Sequence, residues 1–197
     1  MNIQPDQVSV RQFYEAMVAT ITPRPIAWVS TIDAEGTCNL APYSFFNGVG
    51  ANPPTLMFCP ANKGDGTAKD TLANIRANGE FVVNVVTEAF FDAMKLSASD
   101  VAADEDEFTL TGTQKAPSDF VKPPRVRDVV AAMECELLTS MQLGVGPGGA
   151  NLVVGKIVSI YVADSALDES GSLNADQIRP IGRMGGPRYT KTNDQIE

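Results

Sequence analysis

Short β-rich runs, separated by turns that contain glycine or proline, recur along most of the chain. Six such runs outnumber the candidate helices, and they lie at residues 26–31, 45–49, 55–59, 81–86, 133–143 and 152–162. Several short strands with such turns are typical of a barrel or a sandwich. The 197 residues, 44% of them hydrophobic, are enough for one compact core. The sequence therefore predicts a single, mainly β domain over residues 1–197.

Peripheral helices are expected at three places. Ser9 and Gln12 have the spacing of a capping box, which predicts a first helix that ends near Thr20. Residues 67–79 have capping residue types at the start and a glycine at the end, and they predict a second helix. Residues 88–96 predict a third.

Three other segments are expected to lie at the surface. Residues 33–36 combine acidic residues with glycine and predict a hairpin turn. Residues 100–107 are acidic and predict a loop, and the proline-bearing segment 101–127 as a whole is expected to cover the surface of the domain rather than to divide it. The polar tail 191–197 is expected to fray.

The composition excludes several classes of function. A formal charge of −9 has the wrong sign for non-specific binding to nucleic acid or to an anionic membrane. The absence of histidine removes Ser-His-Asp triads, Cys-His dyads and histidine-ligated metal sites. Three cysteines in no CxxC arrangement imply neither a disulfide framework nor a zinc knuckle, which fits a reducing cytoplasm. No leader and no membrane span is recognisable, so we expect a cytoplasmic protein without a metal.

Residues 144–149 read GVGPGG and satisfy the dinucleotide pattern GxGxxG. That pattern requires a helix after the glycines, so that the helix N-terminus meets the pyrophosphate. Residues 151–158 instead have the composition of a strand. We therefore interpret the glycines as a β-turn.

The start of the second predicted helix is a candidate phosphate site. Exposed backbone amides, the helix dipole, the Thr71 hydroxyl and the Lys69 ammonium would meet there, and Lys63 would add charge from the preceding loop. The alternative is an ordinary capped helix with solvated lysines, and this segment alone favours that alternative.

Three further segments each have a functional and a structural interpretation. Residues 39–47 combine small, polar and aromatic residues, so they would admit a planar ligand close to the backbone or form a strand with core aromatics. Trp28, the single tryptophan, would pack on a ligand ring or fill the barrel end. The arginine- and glycine-rich residues 179–189 would bind a phosphate or carboxylate or merely neutralise nearby acids.

Taken in order, these segments resemble the flavin reductase-like family of FMN-binding split barrels, in the branch that includes flavoredoxin-type proteins. The segments that carry the resemblance read TPRP at 22–25, WVST at 28–31, NLAPYSFF at 39–46, PPTL at 53–56, KDTLANI at 69–75 and FVVNV at 81–85, with residues 179–189 at the end. The resemblance implies a six-stranded Greek-key split β-barrel with peripheral helices, a homodimer, and FMN in a groove near the dimer interface.

The resemblance also implies roles for individual residues. Ser30 and Thr31, at the end of the strand that carries Trp28, would line the ribityl and phosphate side of the groove, and Trp28 itself would be a cofactor-binding residue. The phosphate end would be held by Lys69, Asp70 and Thr71, and Arg183 and Tyr189 would lie near the flavin. Contacts to the isoalloxazine ring would come from Asn39, Ala41, Pro42, Ser44, Phe45 and Phe46.

The function expected from this resemblance is an FMN-dependent oxidoreductase that uses NADH or NADPH and passes electrons to a small-molecule or protein acceptor. Hydride transfer to a flavin requires orientation and hydrogen-bond donors rather than a general base, so no catalytic side chain is assigned and the lack of histidine is no obstacle. Two alternatives stay open: an FMN-binding electron carrier without NAD(P)H activity, and a barrel that binds no flavin.

Overall fold

An antiparallel sheet of seven strands forms the centre of the computed structural model, which describes residues 1–194. Two short two-stranded ribbons lie beside it, one formed by residues 115–116 and 125–126 and one by residues 181–183 and 189–191. The strands are β1 (Ala27–Ile32), β2 (Cys38–Tyr43), β3 (Phe46–Ala51), β4 (Pro54–Phe58), β5 (Glu80–Val85), β6 (Lys115–Ala116), β7 (Arg125–Val126), β8 (Ala131–Gln142), β9 (Asn151–Val162), β10 (Ile181–Arg183) and β11 (Tyr189–Lys191).

The main sheet has the order β2-β1-β5-β8-β9-β4-β3. Its two edge strands, β2 and β3, follow each other in the chain and are joined only by Ser44 and Phe45. Opposite edges joined by two residues must come together, so the sheet curves into an incomplete barrel. The mainly β prediction is confirmed. The main sheet has seven strands where the resemblance implied six, because residues 38–43 form a strand of their own, paired with β1.

The helices lie around this sheet: α1 (Val10–Thr20), α2 (Asp70–Asn78), α3 (Phe91–Leu96) and α4 (Glu107–Thr111). Ser9 caps α1 with the predicted capping box to Gln12, and Gly79 ends α2 in the left-handed conformation. The third predicted helix begins as a 3-10 turn at Glu88–Phe90 and continues as α3. The hairpin turn at 33–36 is also confirmed.

The core has two sides because β1 and β5 are covered on both faces. Successive side chains of a strand point to opposite faces. Ala27 and Val29 accordingly pack inside the barrel with α2, and Trp28 packs on the outside. Gly155 of β9 admits the Phe81 ring to the interior, since a Cβ at that position would lie 2.4 Å from the ring atom Cζ.

Segment 101–127 lies on the outer face of the sheet. It contains α4 and the β6–β7 ribbon, and it contributes Phe108, Val121 and Val126 to the outer core. The segment is thus a cover that is anchored by buried apolar side chains.

The end of the chain is partly described. Residues 189–191 pair with β10, so the predicted fraying does not begin at residue 191. Residues 195–197, which the same prediction included, lie outside the described residues. No helix in the described part of the chain is long and apolar enough to cross a bilayer.

Candidate functional site

A cavity of about 270 Å³ lies between β2 and the N-terminus of α2, and we call it the β2–α2 cavity. Its wall combines residues from β2, from the loop before α2, from the start of α2, from the turn after α3 and from α4. The lining residues are Asn39, Ala41, Pro42, Tyr43, Lys63, Gly64, Asp65, Lys69, Asp70, Thr71, Ser97, Ala98, Ser99, Asp100, Val101 and Glu107.

The cavity brings together two segments that the sequence analysis assigned to different ends of one ligand. Asn39, Ala41 and Pro42 come from the predicted ring-binding segment, and Lys69, Asp70 and Thr71 come from the predicted phosphate-binding segment. A hydrogen bond of 2.8 Å from Asn39 Nδ2 to Thr71 Oγ1 joins the two segments directly. Asn39 therefore positions the Thr71 hydroxyl in the wall.

The N-terminus of α2 opens into this wall without a side-chain cap. Lys69 is the N-cap residue, and its side chain makes no capping hydrogen bond. The first-turn amides of an α-helix have no intrahelical partner, so they remain available to an acceptor. This arrangement differs from the ordinary capped helix considered above.

The cavity carries charges of both signs. Lys63 Nζ lies 2.8 Å from Asp70 Oδ1, so these two charges are paired. Lys69 takes part in none of the salt bridges formed within residues 1–194. Asp65 accepts hydrogen bonds from the backbone and hydroxyl of Thr67. Among the described residues, Lys69 is thus the cation of this wall that is not paired with a carboxylate.

Tyr43 places a buried hydroxyl in the cavity wall. The residue is 8% exposed, and among the described residues its hydroxyl oxygen is the only buried side-chain nitrogen or oxygen without a hydrogen-bond partner. Burial raises the pKa of this phenol, the adjacent Thr71 side chain lowers it in part, and the nearby carboxylates Glu107 and Asp70 raise it. Buried polar groups in native proteins almost always have partners, so this hydroxyl is a group that a ligand atom could bind.

Glu107 is a cavity residue that the sequence analysis missed. It is buried at the first position of α4, and its Oε2 accepts a hydrogen bond of 2.9 Å from the Leu40 backbone amide. Burial raises the pKa of its carboxyl group above the ordinary value of 4.5. The sequence analysis interpreted residues 100–107 as an acidic loop. Helix α4 contradicts that interpretation at Glu107, and Asp106 as N-cap before Phe108 was a signal for it.

Trp28, Ser30 and Thr31 do not line the cavity. All three are fully buried in β1, and each side chain is bonded to a protein group. Trp28 Nε1 donates to Ser97 Oγ at 2.9 Å, Ser30 Oγ donates to the Pro124 carbonyl at 2.6 Å, and Thr31 Oγ1 accepts from Asn74 at 3.1 Å. The resemblance placed them on the ligand side, but β1 lies inside the sheet and the cover occupies its outer face.

The other predicted site residues surround the buried Arg24 rather than the β2–α2 cavity. Arg24 Nε donates to Ser44 Oγ at 3.4 Å, and its guanidinium lies 5.8 Å from the centre of the Phe45 ring. The Arg183 side chain donates to the Tyr189 hydroxyl, and the Arg183 backbone forms an isolated antiparallel β-bridge with the backbone of Arg24. A second cavity of about 300 Å³ lies here, lined by Arg11, Tyr14, Glu15, Val18, Arg24, Arg183 and Gly186.

Phe46 lies outside the β2–α2 cavity as well. It is the first residue of β3, and it packs against the core cluster inside the barrel.

The glycine-rich residues 144–149 form the turn between β8 and β9, as predicted. They support the loop that carries Lys63. Asn62 donates to the Gly149 carbonyl through its backbone at 2.9 Å and to the Gly146 carbonyl through its side chain at 3.0 Å. A Cβ at Gly66 would lie 3.3 Å from the Gly146 Cα, so glycine permits this close contact. The motif therefore shapes the β2–α2 cavity from outside.

No metal-binding arrangement accompanies either cavity. Within residues 1–194, no group of three or more Cys, Asp and Glu side chains is placed to hold a metal ion. The candidate site is therefore described by its hydrogen-bond donors, lysines and carboxyl groups. These groups suit an organic ligand with anionic and acceptor atoms.

Comparisons with known proteins agree with this architecture. The flavin reductase-like domain matches residues 19–182. An uncharacterized protein of Aquifex aeolicus is 38% identical over 178 residues, which cover 90% of this chain and 89% of that protein. The crystal structure of nitrilotriacetate monooxygenase component B from Bacillus cereus has a TM-score of 0.93 and 32% identity, and covers 100% of this chain and 98% of that chain. The Pseudomonas fluorescens 2-nitrobenzoate 2-nitroreductase NbaA has a TM-score of 0.89 and 33% identity, with coverage of 100% and 94%. The resemblance seen in the sequence is confirmed, and this chain belongs to the flavin reductase-like family.

Proposed function

We propose that this chain is an FMN-binding oxidoreductase that takes electrons from NADH or NADPH and delivers them to a small-molecule or protein acceptor. Family membership supports a flavin-related oxidoreductase. Two solved relatives are named as a monooxygenase component and a nitroreductase, both of which are redox proteins. The observation that carries the proposal is the β2–α2 cavity, where the predicted ring-binding and phosphate-binding segments meet.

The residues of this cavity fit FMN by their chemistry. FMN offers a phosphate and several ring acceptors, and the wall offers complementary donors: the Tyr43 hydroxyl without a partner, the Lys69 ammonium and the uncapped amides of α2. Ala41 and Pro42 present little side-chain bulk, so a flat ring can approach the β2 backbone. The set of donors therefore matches an anionic ligand with a planar ring.

When bound, FMN supplies hydride acceptance from a dihydronicotinamide and onward electron transfer to an acceptor. The contribution of this chain is binding and orientation. Asn39 holds the Thr71 hydroxyl in place, and Lys69 brings a positive charge to the phosphate end. Fixed donors of this kind stabilise developing negative charge without reorganisation, so the site functions without histidine.

We further propose that the protein functions as a homodimer. The cavity volume of about 270 Å³ is slightly below the range of about 300–1,000 Å³ typical of small-ligand sites, so a second copy would complete the enclosure. Phe45, Phe46 and the pair Phe90–Phe91 are half-buried within this chain. One group of the exposed apolar side chains lies on β3, β8 and the following turn, namely Val49, Leu138, Met141, Leu143 and Val145. We expect light scattering to give twice the mass of 21.0 kDa, and a mass of one chain would contradict the dimer.

The proposed activity is tested by an absorption spectrum of the purified protein. We expect flavin bands in the near-ultraviolet and blue, and bleaching of these bands when NADH or NADPH is added without oxygen. Bands that persist with both donors would favour an electron carrier that a partner protein reduces. Absence of bands after incubation with FMN and desalting would contradict flavin binding altogether.

A further inference from the structure

Glu107 is a buried carboxyl group without a cationic partner. It is 5% exposed, and Oε2 accepts a hydrogen bond from the Leu40 amide. Oε1 makes no hydrogen bond to another residue, and Glu107 joins no salt bridge, within residues 1–194. A buried carboxylate whose only donors are the Leu40 amide and its own backbone amide is incompletely compensated for the loss of water, so the neutral acid is favoured.

The charges around Glu107 reinforce this preference. Burial raises the pKa of Glu107, and the amides of Leu40 and of Glu107 itself lower it in part. Asp106, the N-cap of α4, which is paired with Lys115, and Asp70, on α2, add smaller effects that raise it. Of the cations that line the cavity, Lys63 is already paired with Asp70, and Lys69 makes no salt bridge to Glu107. The remaining titratable groups of the wall are Tyr43, Asp65 and Asp100.

We propose that Glu107 is a binding residue of the β2–α2 cavity whose ionisation weakens the binding of FMN, so that flavin affinity depends on pH. The proposal rests on the function proposed above. The neutral carboxyl adds an O–H donor to a wall that already contains the Tyr43 hydroxyl, and both serve acceptor atoms of the ligand. The ionised carboxylate adds negative charge in a desolvated wall and opposes the phosphate dianion.

The test is the dissociation constant of FMN, measured by flavin fluorescence on flavin-free protein from about pH 5 to about pH 9, for the wild type and Glu107→Gln. Glutamine keeps an oxygen acceptor for the Leu40 amide and offers an N–H donor without charge. We expect equal affinities at low pH. At high pH we expect about tenfold weaker binding by the wild type, the change that corresponds to one pKa unit of coupling.

Glu105→Gln is the matched control, since Glu105 is an exposed carboxylate two residues away on the same segment. We expect its affinities to follow the wild type at every pH. A wild type and a Glu107→Gln variant with the same pH profile would overturn the role of Glu107. A wild type that binds no FMN at any pH would instead overturn the proposed function.

A second measurement needs only the wild type and therefore does not depend on whether the variant folds. Binding that favours the neutral carboxyl must take up protons, by linkage, at a pH where flavin-free Glu107 is ionised. Calorimetric titration of FMN at intervals from about pH 6.5 to about pH 8, in two buffers of different ionisation enthalpy, measures this uptake, which is largest between the pKa of Glu107 in the flavin-free protein and its pKa in the complex. The FMN phosphate is mostly ionised in this range, since its second pKa is about 6, so it contributes little proton exchange. Net proton uptake at any of these pH values supports the proposal, and zero uptake or net release at all of them contradicts it.

Discussion

Two groups of buried polar side chains in this protein differ in how completely they are hydrogen-bonded. Under the cover, the carboxylate of Glu134 accepts from three backbone amides, and Asn84 both donates to β1 and accepts from the Val126 amide. In the β2–α2 cavity, by contrast, the Tyr43 hydroxyl has no hydrogen-bond partner, and Glu107 accepts from the amide of only one other residue, Leu40. The first group, which we call the completed group, has its hydrogen bonds made within the protein and joins the cover to the sheet. The second group has hydrogen-bonding atoms that remain available to a ligand.

The largest expected effect is the loss of stability on removing the Glu134 carboxylate. It tests whether the completed group stabilises the fold. Glu134→Ala leaves the amides of Asp119, Phe120 and Val121 without acceptors beneath the cover. We expect a loss of about 3–5 kcal/mol in the free energy of unfolding, measured by urea denaturation. Glu136→Ala, an exposed position on the same strand, is expected to change it by less than about 0.5 kcal/mol. If Glu134→Ala and Glu136→Ala lost the same unfolding free energy, the stabilising role of the buried Glu134 carboxylate would be contradicted.

The double variant Lys69→Ala, Thr71→Ala tests the donors of the cavity. Each lost charge-assisted contact is worth about 1.5–3 kcal/mol, so FMN affinity is expected to fall at least about a hundredfold. A smaller loss in unfolding free energy, about 1 kcal/mol, is expected because Asn39 loses its acceptor. Lys122→Ala removes an exposed charge elsewhere and serves as the control. Unchanged FMN affinity would remove the phosphate assignment.

Tyr43→Phe separates ligand binding from folding at one atom. The hydroxyl has no protein partner, so its loss is expected to leave the unfolding free energy of the flavin-free protein unchanged or slightly higher. FMN affinity is expected to weaken by about 1 kcal/mol, or roughly fivefold, in a fluorescence titration. Tyr161→Phe, at a half-buried ring outside the cavity, should leave affinity unchanged. A clear loss of unfolding free energy in Tyr43→Phe would show that the hydroxyl stabilises the fold, and it would contradict its assignment to the ligand.

The smallest expected effect is the pH dependence of stability due to Glu107. Its pKa is raised in the folded state, so the folded protein holds this proton more tightly than the unfolded chain does. The stability contribution of Glu107 is therefore lost as pH rises from about its ordinary 4.5 through the raised folded value. We expect Glu107→Gln to gain about 2–4 °C in Tm over the wild type near neutral pH, with no gain at low pH. The same difference at every pH would contradict this assignment.

Local sequence signals predicted much of the fold. The Ser9–Gln12 spacing predicted the start of α1, and the β-rich runs predicted six of the seven strands of the main sheet within a few residues. The seventh, β2, lies within residues 39–47, where a strand was only one of two interpretations because the proline and polar residues weaken a strand pattern. Helix α4, with five residues, was too short for a periodic signal.

Some of the residues assigned to FMN lie together in the structure. Asn39, Ala41 and Pro42 line one cavity with residues 69–71. Trp28 lies elsewhere because β1 is buried on both faces, and the uninterrupted apolar character of residues 26–29 was consistent with that burial. Ser30 and Thr31 have hydroxyls that suit a ligand equally well, and only their contacts with the Pro124 carbonyl and Asn74 show a structural role.

By itself, the sequence determined the local elements and the chemistry that is ruled out: the capped first helix, the turns, the β-rich runs and a protein without histidine. These are properties of neighbouring residues or of composition alone. Only the tertiary structure decided which polar groups remain without partners. Residues 43, 71 and 107 meet through the order of strands and the packing of α2 and α4, and the raised pKa of Glu107 arises from desolvation by those neighbours.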